Sequence, residues 1–442
     1  MQNSIQRKIA PLCCFTLYTF AFLLMTLIKI PSAFQSFWAE DGAFYGQAIR
    51  ESFPNDVFIS GGGYIIFVSR ILSNLVSLFP VYHAAFTNTI ILCLILAFLA
   101  QRIYVNLLFA IQSSLYRALI SLSIFLLPIN NFETVASGTA LHFILLFVVL
   151  VICLSSKQTK SIVNTDIFVV AISLLSDPFT ILSLIPLSFA RPSFLKDFWR
   201  RRKSVLLIWS FSFLVQVLMI YVFYTQNLRK LSESPSILKV VYLFLDRVIG
   251  STLVPGWGHV SSDLFSKSEF SLFLLVRGLS AFLILLFLIF TAVKLSKKSK
   301  SQHQNSTHWV LLYLFVVPTF YWCLAGLLVN PEPRYAVFPG LSLLVVVFYL
   351  LENTTRFKQR ALLNRLITIS ISSLVIVTWL SSISPSDRRV NGVSWQNEVV
   401  KARLECQSAK LESTFLRILP RDHGWSVEMK CLVLYKSERP NE

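Results

Sequence analysis

The chain has 442 residues, of which 55% are hydrophobic and only 14% are charged. A soluble globular protein of this length would need more polar surface, so the composition excludes that class and indicates a polytopic membrane protein. The formal net charge is +18, but no basic run is interleaved with aromatic residues in the manner of a nucleic-acid site, and the charge is better explained by membrane topology.

The apolar segments are continuous rather than alternating, so they predict an all-α bundle and not a membrane barrel. We expect about 11 transmembrane helices. The first has a basic start but no small-residue cleavage site after it, so we interpret it as a retained helix and not as a signal peptide. The clear spans are 11–30, 83–101, 140–155, 204–225, 271–293, 309–329, 335–351 and 366–383, and the shorter ones are 117–129, 165–176 and 178–190.

The distribution of lysine and arginine predicts which loops are cytoplasmic, because positive residues are enriched on that side of a membrane. The scheme places the N-terminus inside and a tail of residues 384–442 outside, beyond a membrane domain of residues 1–383. It requires residues 61–80, which include Arg70, to form an amphipathic helix in the outer interface rather than a span. The basic clusters lie at 7–8, 102–117, 157–160, 191–203, 294–300 and 356–365.

Two long outer segments, 31–82 and 226–270, follow from this topology, and we expect a second interfacial helix in the latter. Acidic residues then gather on the outer face. Asp177 does so only if Pro178 divides the region into two short helices, since a single kinked span would bury Asp177 in the membrane. The outer acids include Glu40, Asp41, Glu51, Asp56, Glu133, Asp177, Asp246, Asp263, Glu269 and Glu332.

The tail pattern predicts a short helix followed by a few strands, which gives a small extracytoplasmic α+β unit. Cys406 and Cys431 lie in this polar region and are candidates for a disulfide if the tail is outside the cytoplasm. The other five cysteines lie in apolar segments, where a thiol acts as a small hydrophobe.

Two adjacent carboxylates, Glu40 and Asp41, follow the first span within the sequence WAEDG, and the amphipathic segment 61–80 comes next. This layout resembles the GT-C superfamily of integral-membrane glycosyltransferases, whose first extracytoplasmic loop carries an acidic motif before juxtamembrane helices. The chain also looks like a group of bacterial membrane proteins of this type. That second likeness depends on WAEDG, on RYAVFPG at 334–340, and on the tail residues Trp395, Cys406, Pro420, Trp425 and Cys431.

The resemblance implies a glycosyltransferase of the bacterial inner membrane, acting on the extracytoplasmic face. Its donor would be a polyprenyl-phosphate-linked sugar and its acceptor a cell-envelope glycan, lipid or protein. A carboxylate would take the proton of the attacking hydroxyl. We expect Asp41 to be this base, with Glu40 binding substrate or a divalent cation such as Mg²⁺ or Mn²⁺, or the two roles reversed.

The leaving phosphate needs a cation. Arg334 is the first candidate because a guanidinium matches phosphate oxygens bidentately, and Arg70 is the second. Sugar rings rest on aromatic faces, and polar groups of the outer face would orient them. The remaining candidates for substrate binding are Trp38, Phe44, Tyr45, His142, Asp177, Trp257, His259 and Tyr335.

Each candidate also has a purely structural interpretation. Arg334 fits an interfacial anchor, His142 a packing residue at a span end, and Asp177 a cap for the helix after Pro178. The acid pair could simply be solvated, and the aromatic residues near it could belong to an aromatic belt.

Two other functions stay open on the sequence. A transporter or flippase of lipid-linked glycan would place its decisive charges along a cavity within the spans. An O-antigen-type polymerase or ligase would use Arg229, Arg247 and His259 in the outer segment 226–270. The transferase is favoured because the acids gather at one face.

Overall fold

The structure is a computed structural model. It describes the chain between residues 2 and 436 apart from the gaps that separate these ranges: 2–51, 53–59, 64–127, 137–159, 163–188, 203–226, 236–254, 272–298, 305–329, 333–355, 369–370, 372–373, 375–380, 393–419 and 424–436.

The described chain is mostly helical, which confirms the predicted class. A π-helical segment, Phe244–Gly250, continues α11, and the 3₁₀ turn Pro333–Ala336 precedes α14. The helices are α1 Gln2–Lys29, α2 Ala39–Glu51, α3 Phe67–Ser77, α4 Ala84–Asn106, α5 Ser114–Leu126, α6 Leu141–Thr159, α7 Asn164–Ser176, α8 Thr180–Ser183, α9 Ile185–Ser188, α10 Lys203–Gln226, α11 Ile237–Leu243, α12 Leu272–Lys298, α13 Asn305–Val329, α14 Val337–Thr355, α15 Trp395–Ala409 and α16 Cys431–Lys436.

Within the described ranges, three helical stretches are long and apolar enough to cross a membrane, and they are Val81–Phe109, Val205–Val222 and Arg334–Asn353. Six shorter apolar helices accompany them: Cys13–Lys29, Ser114–Leu126, Leu141–Ser155, Asn164–Ser176, Gly278–Thr291 and Leu312–Leu327. A helix satisfies its own backbone hydrogen bonds. Continuous apolar runs therefore form helices in an apolar environment, which offers the backbone no other hydrogen-bond partners.

Two helices form the centre of the bundle. The side chains of α6 from Phe143 to Leu154 are buried, and so are those of α14 from Val337 to Leu351. In contrast, α10 is exposed over most of its surface although it is equally apolar. A helix that is apolar all round is typical either of a protein core or of a lipid-facing position, and the exposure of α10 is consistent with the second.

Helix α3 lies within the segment predicted to be amphipathic. Its 11 residues extend about 16 Å, which is too short to cross a bilayer. Arg70 and Leu72 face the protein and are buried, whereas Leu75 is exposed. The structure therefore has a short two-faced helix here, packed against α2, α4 and α7.

The tail has the predicted order of elements. After α15, strands β1 (Ser413–Arg417) and β2 (Ser426–Lys430) pair antiparallel. A disulfide between Cys406 and Cys431, with Cα atoms 5.8 Å apart, joins α15 to the start of α16. The tail does not stand apart from the helical bundle, because β2 packs directly on α2.

Candidate functional site

Asp41 links two distant parts of the chain. It lies in the first turn of α2 and is only 4% exposed. Its Oδ2 accepts a hydrogen bond from the Gly138 N–H at 2.9 Å, and its Oδ1 accepts one from the Thr139 N–H at 2.9 Å and one from the Ser137 hydroxyl at 3.3 Å. Both carboxylate oxygens are thus engaged, and Asp41 fastens α2 to the turn that begins α6.

Gly138 is required for this contact. A Cβ at this position would lie 2.6 Å from Leu72 Cδ2 and 3.5 Å from Asp41 Oδ1. The absence of a side chain lets the 137–139 turn approach both α3 and the carboxylate closely.

Glu40 points elsewhere. Its Oε1 lies 3.7 Å from Nη1 of Arg334, and both side chains are about one-third exposed, at 38% and 33%. Neighbouring residues of a helix project about 100° apart, so the first turn of α2 directs the two carboxylates apart. Of the two adjacent acids, Asp41 is therefore a buried anchor and Glu40 is an accessible acid.

A second acid lies against His142 deeper in the bundle. Asp177 Oδ2 is 3.8 Å from His142 Nε2, and both side chains are nearly fully buried. Asp177 is at the break between α7 and α8, and its Oδ1 accepts the Phe179 N–H at 2.7 Å. Burial raises the pKa of Asp177 to about 7, against the opposing effect of that hydrogen bond.

The chain breaks at Asp177 as predicted, but the described part of the predicted helix 178–190 forms two four-residue helices, α8 and α9, instead of one. Asp177 has an extended backbone and ends α7, and Pro178 starts the turn into α8. The Asp177 side chain accepts the Phe179 N–H within the turn that leads into α8, and it also faces His142.

Arg334 connects the two acidic positions. It lies in the turn before α14, and the next residue, Tyr335, packs against Phe143, the residue after His142, with ring centroids 5.3 Å apart. The Tyr335 ring lies 5.9 Å from the Arg334 guanidinium carbon. Thus Glu40, Arg334, His142 and Asp177, which come from four separate segments of the chain, meet at one end of the bundle.

Aromatic rings line this cluster. Tyr64 lies edge-on to His142, with ring centroids 6.4 Å apart, and Tyr335 packs edge-on against Phe143 at 5.3 Å. Tyr64 and Tyr335 are both partly exposed. Tyr321 is fully buried nearby, and its hydroxyl has no hydrogen-bond partner among the described residues.

Arg70 occupies a packing position rather than the cluster. Its side chain is fully buried, donates to Gln47 Oε1 and to the Ile59 carbonyl at 3.1 Å, and lies 4.0 Å over the Phe44 ring. Burial lowers the pKa of Arg70 to about 10, partly offset by Asp56. Arg70 holds α3 against α2, so Arg334 is the better candidate for contact with a phosphate.

The aromatic residues near the acid pair are also in packing positions. Tyr45 is fully buried and stacks on Phe37, with centroids 4.9 Å apart, and Trp395 meets both rings edge-on. Trp38 is buried against Leu419 of the tail. These rings attach the tail to α2, which leaves Tyr64 and Tyr335 as the accessible aromatic faces.

Several predicted residues lie outside the described part of the chain: Glu133, Trp257, His259, Asp263, Glu269, Glu332, Arg229 and Pro420. Arg247 is described, in the π-helical segment. Among the residues that the structure describes, no group of three or more histidine, cysteine, aspartate or glutamate side chains is arranged to hold a metal ion.

Sequence reasoning missed Tyr64 and the Ser137-Gly138-Thr139 turn. The turn had one available signal, a glycine beside two hydroxyl residues immediately before a long apolar run, which favours a tight connection into a helix. Tyr64 follows three consecutive glycines, and its contact with His142 depends on packing that no local pattern reports.

No protein-family model matches the chain, and no curated protein matches it significantly. The site is therefore interpreted from its geometry.

Proposed function

We propose that the chain is a membrane glycosyltransferase of the GT-C type, which moves a sugar from a polyprenyl-phosphate donor to a cell-envelope acceptor. The observation that carries the proposal is that the Glu40–Arg334 and His142–Asp177 pairs lie at one end of an apolar bundle, joined by the packing of Tyr335 on Phe143. This combination provides a carboxylate for proton transfer and a guanidinium for phosphate within reach of the same substrate.

Arg334 binds the donor phosphate in this proposal. A guanidinium in a turn before a buried helix is well placed for a planar, bidentate contact with phosphate oxygens. A phosphate oxygen competes with Glu40 for the same guanidinium. Donor binding therefore releases the Glu40 carboxylate, which becomes available to accept a proton.

Glu40 is the general base. The attacking hydroxyl of the acceptor gives its proton to the Glu40 carboxylate as its oxygen forms a bond to the anomeric carbon. The bond from that carbon to the phosphate oxygen breaks, and polyprenyl phosphate leaves with its charge held by Arg334. This assignment reverses the expected roles of the pair, because both oxygens of Asp41 already accept hydrogen bonds from the 137–139 turn.

The remaining residues position the substrate. Asp177 and His142 form a buried polar floor below Arg334, where sugar hydroxyls find both donors and acceptors. Tyr64 and Tyr335 offer partly exposed rings on which a sugar face can stack. A divalent cation is not needed in this scheme, since Arg334 supplies the positive charge.

The proposed setting is the bacterial inner membrane, with about 11 spans, the N-terminus inside and the tail outside. Helix α7 supports this orientation, because it separates the acidic cluster from a basic residue. Asp177 follows its last residue, whereas Asp166 near its start pairs bidentately with Arg102 at 2.8 Å. The two acids are 11 positions apart, about 16 Å along a helix, so the cluster and this basic contact lie at opposite ends of α7.

The transporter alternative is less well supported. It calls for charges along a cavity between the spans, whereas the polar cluster lies at the ends of α2, α6, α7 and α14. The polymerase or ligase alternative depends chiefly on Arg229 and His259, which lie outside the described residues.

The reaction can be followed through the released phosphate. Purified full-length protein in lipid vesicles would receive a polyprenyl-phosphate sugar and an extract of envelope acceptors, and ³¹P NMR would distinguish the phosphodiester donor from the phosphomonoester product. We expect release with the native chain and only background release with Glu40→Gln. The control is Glu51→Gln, an exposed acid at the other end of α2. Equal release by the native chain and Glu40→Gln would rule out the assigned base.

A further inference from the structure

The tail is hydrogen-bonded to the residues that precede Glu40. Leu419 forms a parallel bridge with Trp38. The Ala39 N–H donates to the Leu419 carbonyl at 2.6 Å, and the Leu419 N–H donates to the Phe37 carbonyl at 3.2 Å. The backbone entering α2 is thus paired with the tail up to the residue before the accessible acid.

Ala39 itself has an unusual backbone conformation. Its φ is +36°, in the left-handed region that a residue with a Cβ rarely adopts. Such a conformation persists only where the surroundings impose it. Here the bond from the Ala39 N–H to Leu419 supplies that constraint, and it sets the direction in which Glu40 and Asp41 leave the start of the helix.

The tail also packs along α2 at positions without side chains. A Cβ at Gly42 would lie 2.5 Å from Ile418 Cδ1, and a Cβ at Gly46 would lie 2.6 Å from Val427 Cγ1. Gly42 and Gly46 are one helical turn apart, so they form one face of α2 that admits the tail closely.

The first residue of α15, Trp395, is hydrogen-bonded to both ends of the segment 31–82. The Trp395 N–H donates to the Gln35 carbonyl at 2.7 Å, and its indole Nε1 donates to the Val81 carbonyl at 2.7 Å. The Cys406–Cys431 disulfide joins α15 to the end of the hairpin. We call the contacts of Trp395, Ile418, Leu419 and Val427 with residues 35–46 and 81 the tail clasp.

We propose that the tail clasp is a positioning device for the acid pair. It holds the start of α2 so that Asp41 meets the 137–139 turn and Glu40 faces Arg334. The clasp residues touch no reacting group and act through α2, so they are positioning residues. What the acids do once positioned rests on the proposed function, whereas the positioning is a physical coupling that needs no substrate.

Amide hydrogen exchange measures this coupling directly. The Ala39 N–H bonds to the tail, and the Gly138 and Thr139 N–H groups bond to Asp41. Exchange would be followed by mass spectrometry on peptides covering 37–41 and 137–141 of the full-length protein. The test variant is Gly46→Ala, which places a methyl group against Val427 and forces the clasp apart.

Faster amide exchange in Gly46→Ala cannot result from a weaker helix α2, because alanine is a better helix former than glycine. Gly278→Ala in α12 is the matched control, since it gains the same propensity and meets only the Tyr242 side chain. We expect exchange about tenfold faster in both peptides for Gly46→Ala and unchanged exchange for Gly278→Ala.

Cys406→Ser with Cys431→Ser is a second test that adds no group to α2, and it should accelerate the same two peptides. The proposal is overturned if peptide 137–141 exchanges at the native rate in both test variants, whatever happens at 37–41. It is also overturned if Gly278→Ala gives the same increase. A chain that shows the coupling but releases no polyprenyl phosphate would keep the clasp and refute the transferase.

Discussion

Glu40 and Asp41 are adjacent in sequence but serve different partners. Asp41 accepts backbone hydrogen bonds at 2.9 Å from Gly138 and Thr139, whereas Glu40 lies 3.7 Å from Arg334. The first helical turn of α2 separates the buried carboxylate from the accessible one. Replacing each acid by its uncharged amide should therefore change the stability of the protein by different amounts.

Asp41→Asn should destabilise the protein. The asparagine side chain has only one carboxamide oxygen, so at least one of the two buried N–H groups loses its acceptor, at about 1–3 kcal/mol. Thermal unfolding in detergent would measure this loss. Glu40→Gln should leave the melting temperature nearly unchanged, because its side chain is partly exposed. Equal effects of the two substitutions would contradict the division of roles.

The contact between Glu40 and Arg334 should contribute little to stability. A double-mutant cycle with Glu40→Gln and Arg334→Gln should give a coupling below about 1 kcal/mol, because exposed ion pairs are weak. The matched control is the pair Lys401 and Glu405, at 3.8 Å on α15. Only the Glu40 and Arg334 substitutions should abolish sugar transfer, measured in the same samples. Loss of transfer with the control pair as well would argue against a specific site.

Arg70 should matter for folding and not for donor binding. Arg70→Met leaves the Ile59 carbonyl and Gln47 without their buried donor, and we expect a loss of about 3 kcal/mol. Arg50→Met is the control, since the Arg50 pair with Glu428 is about one-third exposed and should cost less than about 1 kcal/mol. If Arg70→Met unfolds at the native temperature and instead loses affinity for the donor, the packing role is wrong.

Asp177 should make stability depend on pH. Burial raises its folded-state pKa to about 7 from 3.8, so the folded protein binds a proton that the unfolded chain releases. Its stabilising contribution is complete below pH 3.8, falls as pH rises and is lost above about pH 7. Asp177→Asn removes this dependence but keeps the hydrogen bond from the Phe179 N–H, because the side-chain oxygen of asparagine also accepts it.

The measurement is the difference in melting temperature between the native chain and Asp177→Asn at several pH values. That difference isolates Asp177 from the other groups that titrate in this range. Native stability relative to the variant should decline from acid to neutral pH. A constant difference would show that the pKa of Asp177 is not raised.

The sequence predicted the mostly helical class because the apolar runs are long and local, and the number of 11 spans stays a prediction. It also predicted the break at Asp177, where proline prevents a continuous helix. It did not predict that Arg70 and Tyr45 are buried or that Asp41 binds a turn almost 100 positions away. These facts depend on contacts between distant segments, for which α2, α3 and the tail must first be placed against one another.

For Arg334 and His142, the sequence suggested a role but not their proximity to each other. Their residue types and their places at span ends suggested a role, but nothing local indicated that they would approach the same acid cluster. That meeting results from the central packing of α6 and α14, both of which begin at this end of the bundle.

The central claim is that Glu40 takes part in sugar transfer on the outer face. The most direct measurement is the glycan profile of the cell envelope, by mass spectrometry, in cells that lack the gene and carry either the native chain or a variant. We predict that the native chain and Glu51→Gln restore the missing glycan, whereas Glu40→Gln, present in the membrane at the native level, does not. Full restoration by Glu40→Gln would contradict the account.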